Sequence, residues 1–232
     1  MTITPTALSR SAGAAAIAAG LTFIGIQIGH PDLDVTSVGT VEWTVRNSAK
    51  AVFAALGLAG ITGVYLRQVG QMGVAGLIGY LLLGSGYLLI LGTSLIAGYV
   101  LPSLAQTDPA YVDAVLAAAA GAVPATDIGT LHPALLAEGF AYLAGGLLFG
   151  IALFRAHVLA RWAAVLLAVG AVLSVALPLL SDSAYRLLAY PHAVALIGLG
   201  HSLWRSHRSC DDAGASRALV PGIGQQPVDA RR

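Results

Sequence analysis

Arg46 and Lys50 stand four residues apart at the polar start of an apolar stretch, a spacing that puts both on one face of a helix. Glu138 lies in a second apolar stretch and His192 in a third, beside Pro191. Ionisable side chains in such surroundings are costly, which makes them the default functional candidates. Arg46 or Lys50 pairing with Glu138, with His192 close by, would line a polar pocket able to hold a small or lipid-like ligand. The same residue types also permit a plainer role, in which Arg46 and Lys50 reach to lipid headgroups and Glu138 is satisfied locally. His30, Asp32, Asp34, His132 and His192 are metal-ligating types, but they lack the His-x-x-x-His or His-Glu-x-x-His spacing that marks a site. No metal or cofactor is therefore expected. Ser85, in Leu83-Gly84-Ser85-Gly86, and His201 could suggest an intramembrane serine nucleophile and base. Such a pair must meet at one depth, whereas Ser85 falls in mid-helix and His201 near a helix end. Gln27, Tyr80 and Tyr87 suit hydrogen bonds between helices better than ligand contacts.

These residues need helices to carry them, and composition says where the helices lie. Of 232 residues, 57% are hydrophobic and only 10% charged, against about a quarter charged in soluble chains. The balance of 12 basic and 11 acidic residues leaves no electrostatic basis for binding nucleic acid. A single cysteine, Cys210, excludes a disulfide framework or a cysteine-built metal cage. About 20 apolar residues cross a hydrocarbon core of about 30 Å, and six segments meet that rule: 11–29, 44–66, 72–101, 133–154, 162–180 and 187–204. The expected fold is an all-α polytopic transmembrane bundle over residues 1–204. Barrel strands would be shorter and alternating. The first apolar run ends at Gly25 to His30 without a small-x-small cleavage pattern, so it reads as a retained helix.

Orientation follows from the cations. With the N-terminus inside, Arg10, Arg67, Arg155, Arg161, Arg205, Arg208, Arg217, Arg231 and Arg232 fall on the cytoplasmic side, and Arg46, Lys50 and Arg186 on the outer side. Both termini are therefore expected in the cytoplasm of a plasma membrane. The longest loop, Pro102 to His132, holds Asp108-Pro109 ahead of an alanine-rich run, which predicts a short capped helix on the outer side between spans three and four. Residues 205–232 are polar and aperiodic, and read as a disordered cytoplasmic tail. Glycines recur along the spans, as at Gly57, Gly60 and Gly63, at Gly73, Gly76 and Gly79, and as Gly25 with Gly29, so backbones are expected to approach closely. Spans two and three also faintly resemble spans four and five, as a parallel repeat.

The runs Gln27-Ile28-Gly29-His30-Pro31-Asp32, Gly63-Val64-Tyr65-Leu66-Arg67-Gln68, Val100-Leu101-Pro102 and Leu147 to Arg155, continuing to Arg161-Trp162, carry a resemblance. Residues 10–205 resemble an uncharacterised family of six-helix membrane proteins of actinobacteria. That resemblance implies the architecture and no activity. Members often carry a histidine near the position of Asn47 and an acid near that of Ala97, and this chain has neither. Eleven arginines against one lysine fit a high-GC source. The function expected is non-enzymatic binding of a small or lipid-like ligand, or of another membrane protein, at an outer-side polar pocket of a protein surrounded by membrane lipids. The alternatives are a small-solute transporter and a membrane-embedded enzyme acting on a lipid or isoprenoid.

Overall fold

The computed structural model describes residues 4–29, 33–173 and 189–218, with side chains through Arg205. Every described element is helical. Helix α1, Pro5–Gln27, begins where Thr4 accepts the Ala7 N–H at 3.2 Å and Pro5 occupies the first turn. That cap, rather than hydropathy, sets the start ahead of the expected 11–29. The single turn α2, Val35–Val38, is capped by Asp34, whose Oδ1 accepts from the Ser37 N–H and the Thr36 hydroxyl, both at 2.7 Å. Hydrogen bonds from Thr36, then from the Ser37 amide, hold the Asp34 carboxyl below its ordinary range.

Helix α3, Val41–Leu95, follows a Thr40 cap. It is two arms joined at Gly73, where φ 58 and ψ −166 define a conformation open essentially to glycine alone. The chain reverses there. Tyr65 stacks on Tyr80 with centroids 4.5 Å apart, Thr62 shares a 3.1 Å hydrogen bond with Tyr80, and Trp43 Nε1 donates to Ala97 O at 2.8 Å. Arms 41–72 and 74–95 are thus antiparallel. The expected loop after Arg67 is helix instead, with Gln68 buried; the turn falls at Gly73, where φ is positive.

Beyond the second arm a π segment, Ile96–Val100, leads into α4, Leu101–Leu104. Pro102 explains it. A proline has no N–H for the carbonyl four residues back and crowds that carbonyl, which here is Gly98 O. Thr44 Oγ1 supplies the missing donor at 3.2 Å, and Trp43 serves the neighbouring Ala97 O. Helix α5, Pro109–Ala119, has the Asp108 cap and Pro109 start expected of it, the Tyr111 N–H reaching Asp108 Oδ1 at 3.1 Å. Val112, Val115 and Leu116 of α5 bury with Val38, Trp43, Leu101 and Ile128 in a separate small core. We call this the cap.

Helix α6, Leu131–Ala156, ends at His157 with φ 57, and α7, Arg161–Leu173, returns beside it. Helix α8 is Ala189–Ala218. Its backbone continues into the segment expected as a disordered tail, of which 219–232 lies outside the described residues. Pro178, Asp182 and Arg186, with the junction of the expected spans 162–180 and 187–204, also lie outside them. The bundle core joins Phe53, Ile61, Leu83, Tyr87, Phe149, Leu167 and Leu199. Close approach sustains it: a Cβ on Gly145 would run into the Leu83 backbone, one on Gly86 into Tyr142, and one on Gly13 into Gly200 O. Gly57, Gly60 and Gly63 meet Tyr87, Ala16 and Ala12 as expected of a small-residue stripe, whereas Gly25 faces open space and Gly73 makes the turn.

By length and composition, Pro5–Gln27 with 23 residues, Val41–Leu104 with 64 and Leu131–Ala156 with 26 can cross a membrane. One end of the bundle carries the cap. The opposite end carries the Gly73 turn, the α6–α7 turn, and Arg10 seated 5.3 Å from the Trp204 ring.

Candidate functional site

Arg46 lies at the cap end, on the first arm of α3. Glu42 is four residues earlier on the same face; Nη2 and Nε reach its Oε1 at 2.7 and 3.0 Å. The other contacts go to α1: Nη1 donates to Ile26 O at 2.8 Å and Nη2 to Gly29 O at 2.7 Å. Carbonyls at a helix C-terminus have no intrahelical donor and carry the negative end of the dipole. Arg46 therefore closes α1 and ties it to α3, and its carboxylate partner is Glu42 rather than Glu138. The i, i+4 spacing of Glu42 and Arg46 was the available signal for that pair.

Lys50, one turn deeper, is within electrostatic reach of Glu138 and of Arg46. No direct ion pair joins Lys50 to Glu138 among the described residues. Glu138 Oε2 accepts the Thr93 hydroxyl at 2.7 Å, a contact that links α6 to the second arm of α3. Arg46, Lys50 and Glu138 thus belong to one charged layer below the cap.

His192 belongs to the next layer. Tyr142 follows Glu138 by four residues, roughly 6 Å farther along the helix, and its ring lies 4.8 Å from that of His192. His192 Nε2 shares a 3.0 Å hydrogen bond with Tyr87 OH. Phe23, stacked on Phe53 at 4.4 Å, meets the imidazole edge. Tyr87, Phe53 and His192 are buried and Phe23 and Tyr142 partly so, and among the described residues the buried Tyr142 hydroxyl and His192 Nδ1 have no hydrogen-bond partner. Tyr80 and Tyr87 act across helices, as their polar tips suggested. Tyr142 went unread, although its position one turn from Glu138 places it on the same face.

At the cap end an open groove of about 340 Å³ runs between α1 and the first arm of α3. Thr22, Gly25 and Ile26 form one wall and Val45 and Ala49 the other, with Glu42 and Arg46 at its polar end. The absence of a side chain at Gly25 opens it, since nothing stands within 4 Å of where a Cβ would be. Lys50, Glu138 and His192 are not in its lining. Asn47, buried, donates to Trp43 O at 2.9 Å and faces Gly98. Among the described residues no three His, Cys, Asp or Glu side chains converge as metal ligands; His30 and Asp32 lie outside them. Ser85 and His201 are both exposed. Ser85 sits at the level of Gly86 against Tyr142, His201 at that of Gly200 against Gly13, so they do not form a nucleophile and base.

No family model, curated protein or solved structure matches this chain.

Proposed function

We propose that this is a six-span protein of a bacterial plasma membrane, akin to the actinobacterial six-helix family, that binds a small amphiphile at its outer side without catalysing a reaction. Six spans follow if each arm of α3 crosses separately and α7 and α8 join α1 and α6. Both termini are then cytoplasmic. Support comes from the grouping of Arg10, Arg67, Arg155, Arg161 and Arg205 toward the end away from the cap, in accord with the positive-inside rule.

The observation that carries the binding assignment is the α1–α3 groove. Its volume falls at the low end for small-molecule sites. Its walls are apolar and it closes on one ion pair, which suits a molecule with an apolar body and a charged or zwitterionic head. Arg46 would present the cation and Glu42 the anion. The test is saturable binding of a fluorescent lysophospholipid to the full chain in detergent. Gly25→Leu fills the groove with no neighbour to disturb, and we expect affinity at least tenfold weaker, about 1.4 kcal/mol. Undiminished binding by that variant would refute the assignment.

A further inference from the structure

A second groove, of about 210 Å³ and wholly apolar, runs between α6 and α7 toward the Gly73 end of the bundle. Its floor is where the two helices touch: a Cβ on Gly150 would meet Ala164 O and Ala168 N. Ile151, Val165 and Val169 rise beside it and are 44%, 43% and 41% exposed, so the groove opens outward along its length. Arg161 precedes Ala164, Val165 and Ala168 by three, four and seven residues, which puts it on the groove face of α7. Its guanidinium lies 4.2 Å from the centre of the Phe154 ring, and Phe154 is part of the groove wall. The cation is thereby fixed at the groove's mouth by a cation–π contact. Arg155 stands next to Phe154 in sequence and is also exposed. No Asp or Glu occurs between Glu138 and Asp182, so no acid from either helix or their turn answers these two charges.

We propose that this groove binds one phospholipid with an anionic headgroup. The phosphate rests on Arg161, with Arg155 beside it, and an acyl chain lies over Gly150, Ala164 and Ala168. An apolar trough with paired cations at one end matches a two-part ligand whose charge sits at the interface and whose body lies in hydrocarbon. The fixed guanidinium distinguishes it from general lipid contact, because an arginine held by an aromatic face presents its N–H fork in one direction. The inference depends on the chain lying in a bilayer and is independent of the α1–α3 groove.

Native mass spectrometry of the full chain, purified in detergent and titrated with phosphatidylglycerol or phosphatidylcholine of matched acyl chains, tests it. One phosphatidylglycerol should be retained with a roughly fivefold preference, the scale of one arginine near an anionic surface. Arg161→Gln should abolish the preference and Arg161→Lys should lose most of it, because an ammonium carries the charge without the fork that Phe154 holds. Ala168→Leu, which fills the floor and leaves both cations, should lower retention of both lipids, while Gly25→Leu should leave it unchanged. An undiminished preference in Arg161→Gln, or parental retention in Ala168→Leu, overturns the proposal.

Discussion

Around Trp43 and Val112 the cap buries large apolar side chains among the short helices capped by Asp34 and Asp108 and the Thr40-capped start of α3, whereas the bundle brings backbones together through Gly13, Gly79, Gly145 and Gly200. The first arrangement is that of a small domain in water, where removing apolar surface from solvent supplies the driving force. The second suits a setting where lipid is as apolar as leucine and close packing must supply the attraction. Under the proposed topology the boundary between them falls at the level of Arg46 and the π segment. The α3 hairpin is shared: its reversal lies at the far end, and its other end is clamped by Trp43 Nε1 on Ala97 O.

The most damaging test is Trp43→Ala. It removes the largest cap side chain and the clamp together, at about 3–5 kcal/mol. Hydrogen exchange should show faster exchange over residues 109–119 while 141–153 keeps its protection. Equal loss in both would mean that cap and bundle unfold as one unit, and the contrast would fail. Gly145→Val asks the converse. Its methyls would push into the Leu83 backbone, and overpacking of this kind costs about 1–3 kcal/mol. Here the α3–α6 contact should loosen, seen as a lower midpoint of thermal unfolding in detergent, with α5 retaining its protection.

A finer contrast lies within the bundle. Tyr87 and Tyr142 both pack against His192 with buried hydroxyls, but among the described residues only that of Tyr87 is hydrogen-bonded. Tyr87→Phe should cost about 1 kcal/mol, the net worth of a buried hydrogen bond. Tyr142→Phe removes a hydroxyl that makes none with the described residues, and should be neutral or mildly stabilising. Thermal midpoints of the two variants, measured side by side, decide it; a larger loss for Tyr142→Phe would show that its hydroxyl is partnered.

The cap was readable where chemistry is local. Asp108-Pro109 marks the start of α5, whereas the single turn α2 was not foreseen. The apolar segments likewise foretold helices, because apolar length needs no knowledge of partners. Pairings were harder. Arg46 and Glu138 have opposite charges on different helices, and nothing in their spacing said that Glu42 and the α1 carbonyls would take the guanidinium first. The reversal at Gly73 was masked by seven glycines in near succession, from Gly57 to Gly79, of which one turns the chain while others pack. Hydropathy cannot separate those uses; only the backbone angle at Gly73 does.

Asp34 offers the mildest test and separates the two regions by access to solvent. Its carboxyl is fully exposed and titrates below its ordinary range because Thr36 and the Ser37 amide bond to the ionised form. A group whose folded value is depressed contributes stability above the unfolded value, and that contribution is lost as pH falls through the folded one. Protection of the Ser37 amide should therefore stay level from neutral pH down to about 4, the ordinary aspartate range, and decline only below it. Asp34→Asn keeps an acceptor at the N-cap and should remove the pH dependence while leaving protection at neutral pH nearly intact. Protection that declines between pH 7 and 5 would mean that the carboxyl is raised rather than lowered. The bundle amides at 141–153 should stay level over the same acid range, because they lie inside α6 and depend on no capping side chain; a parallel decline would join the two regions that the packing divides.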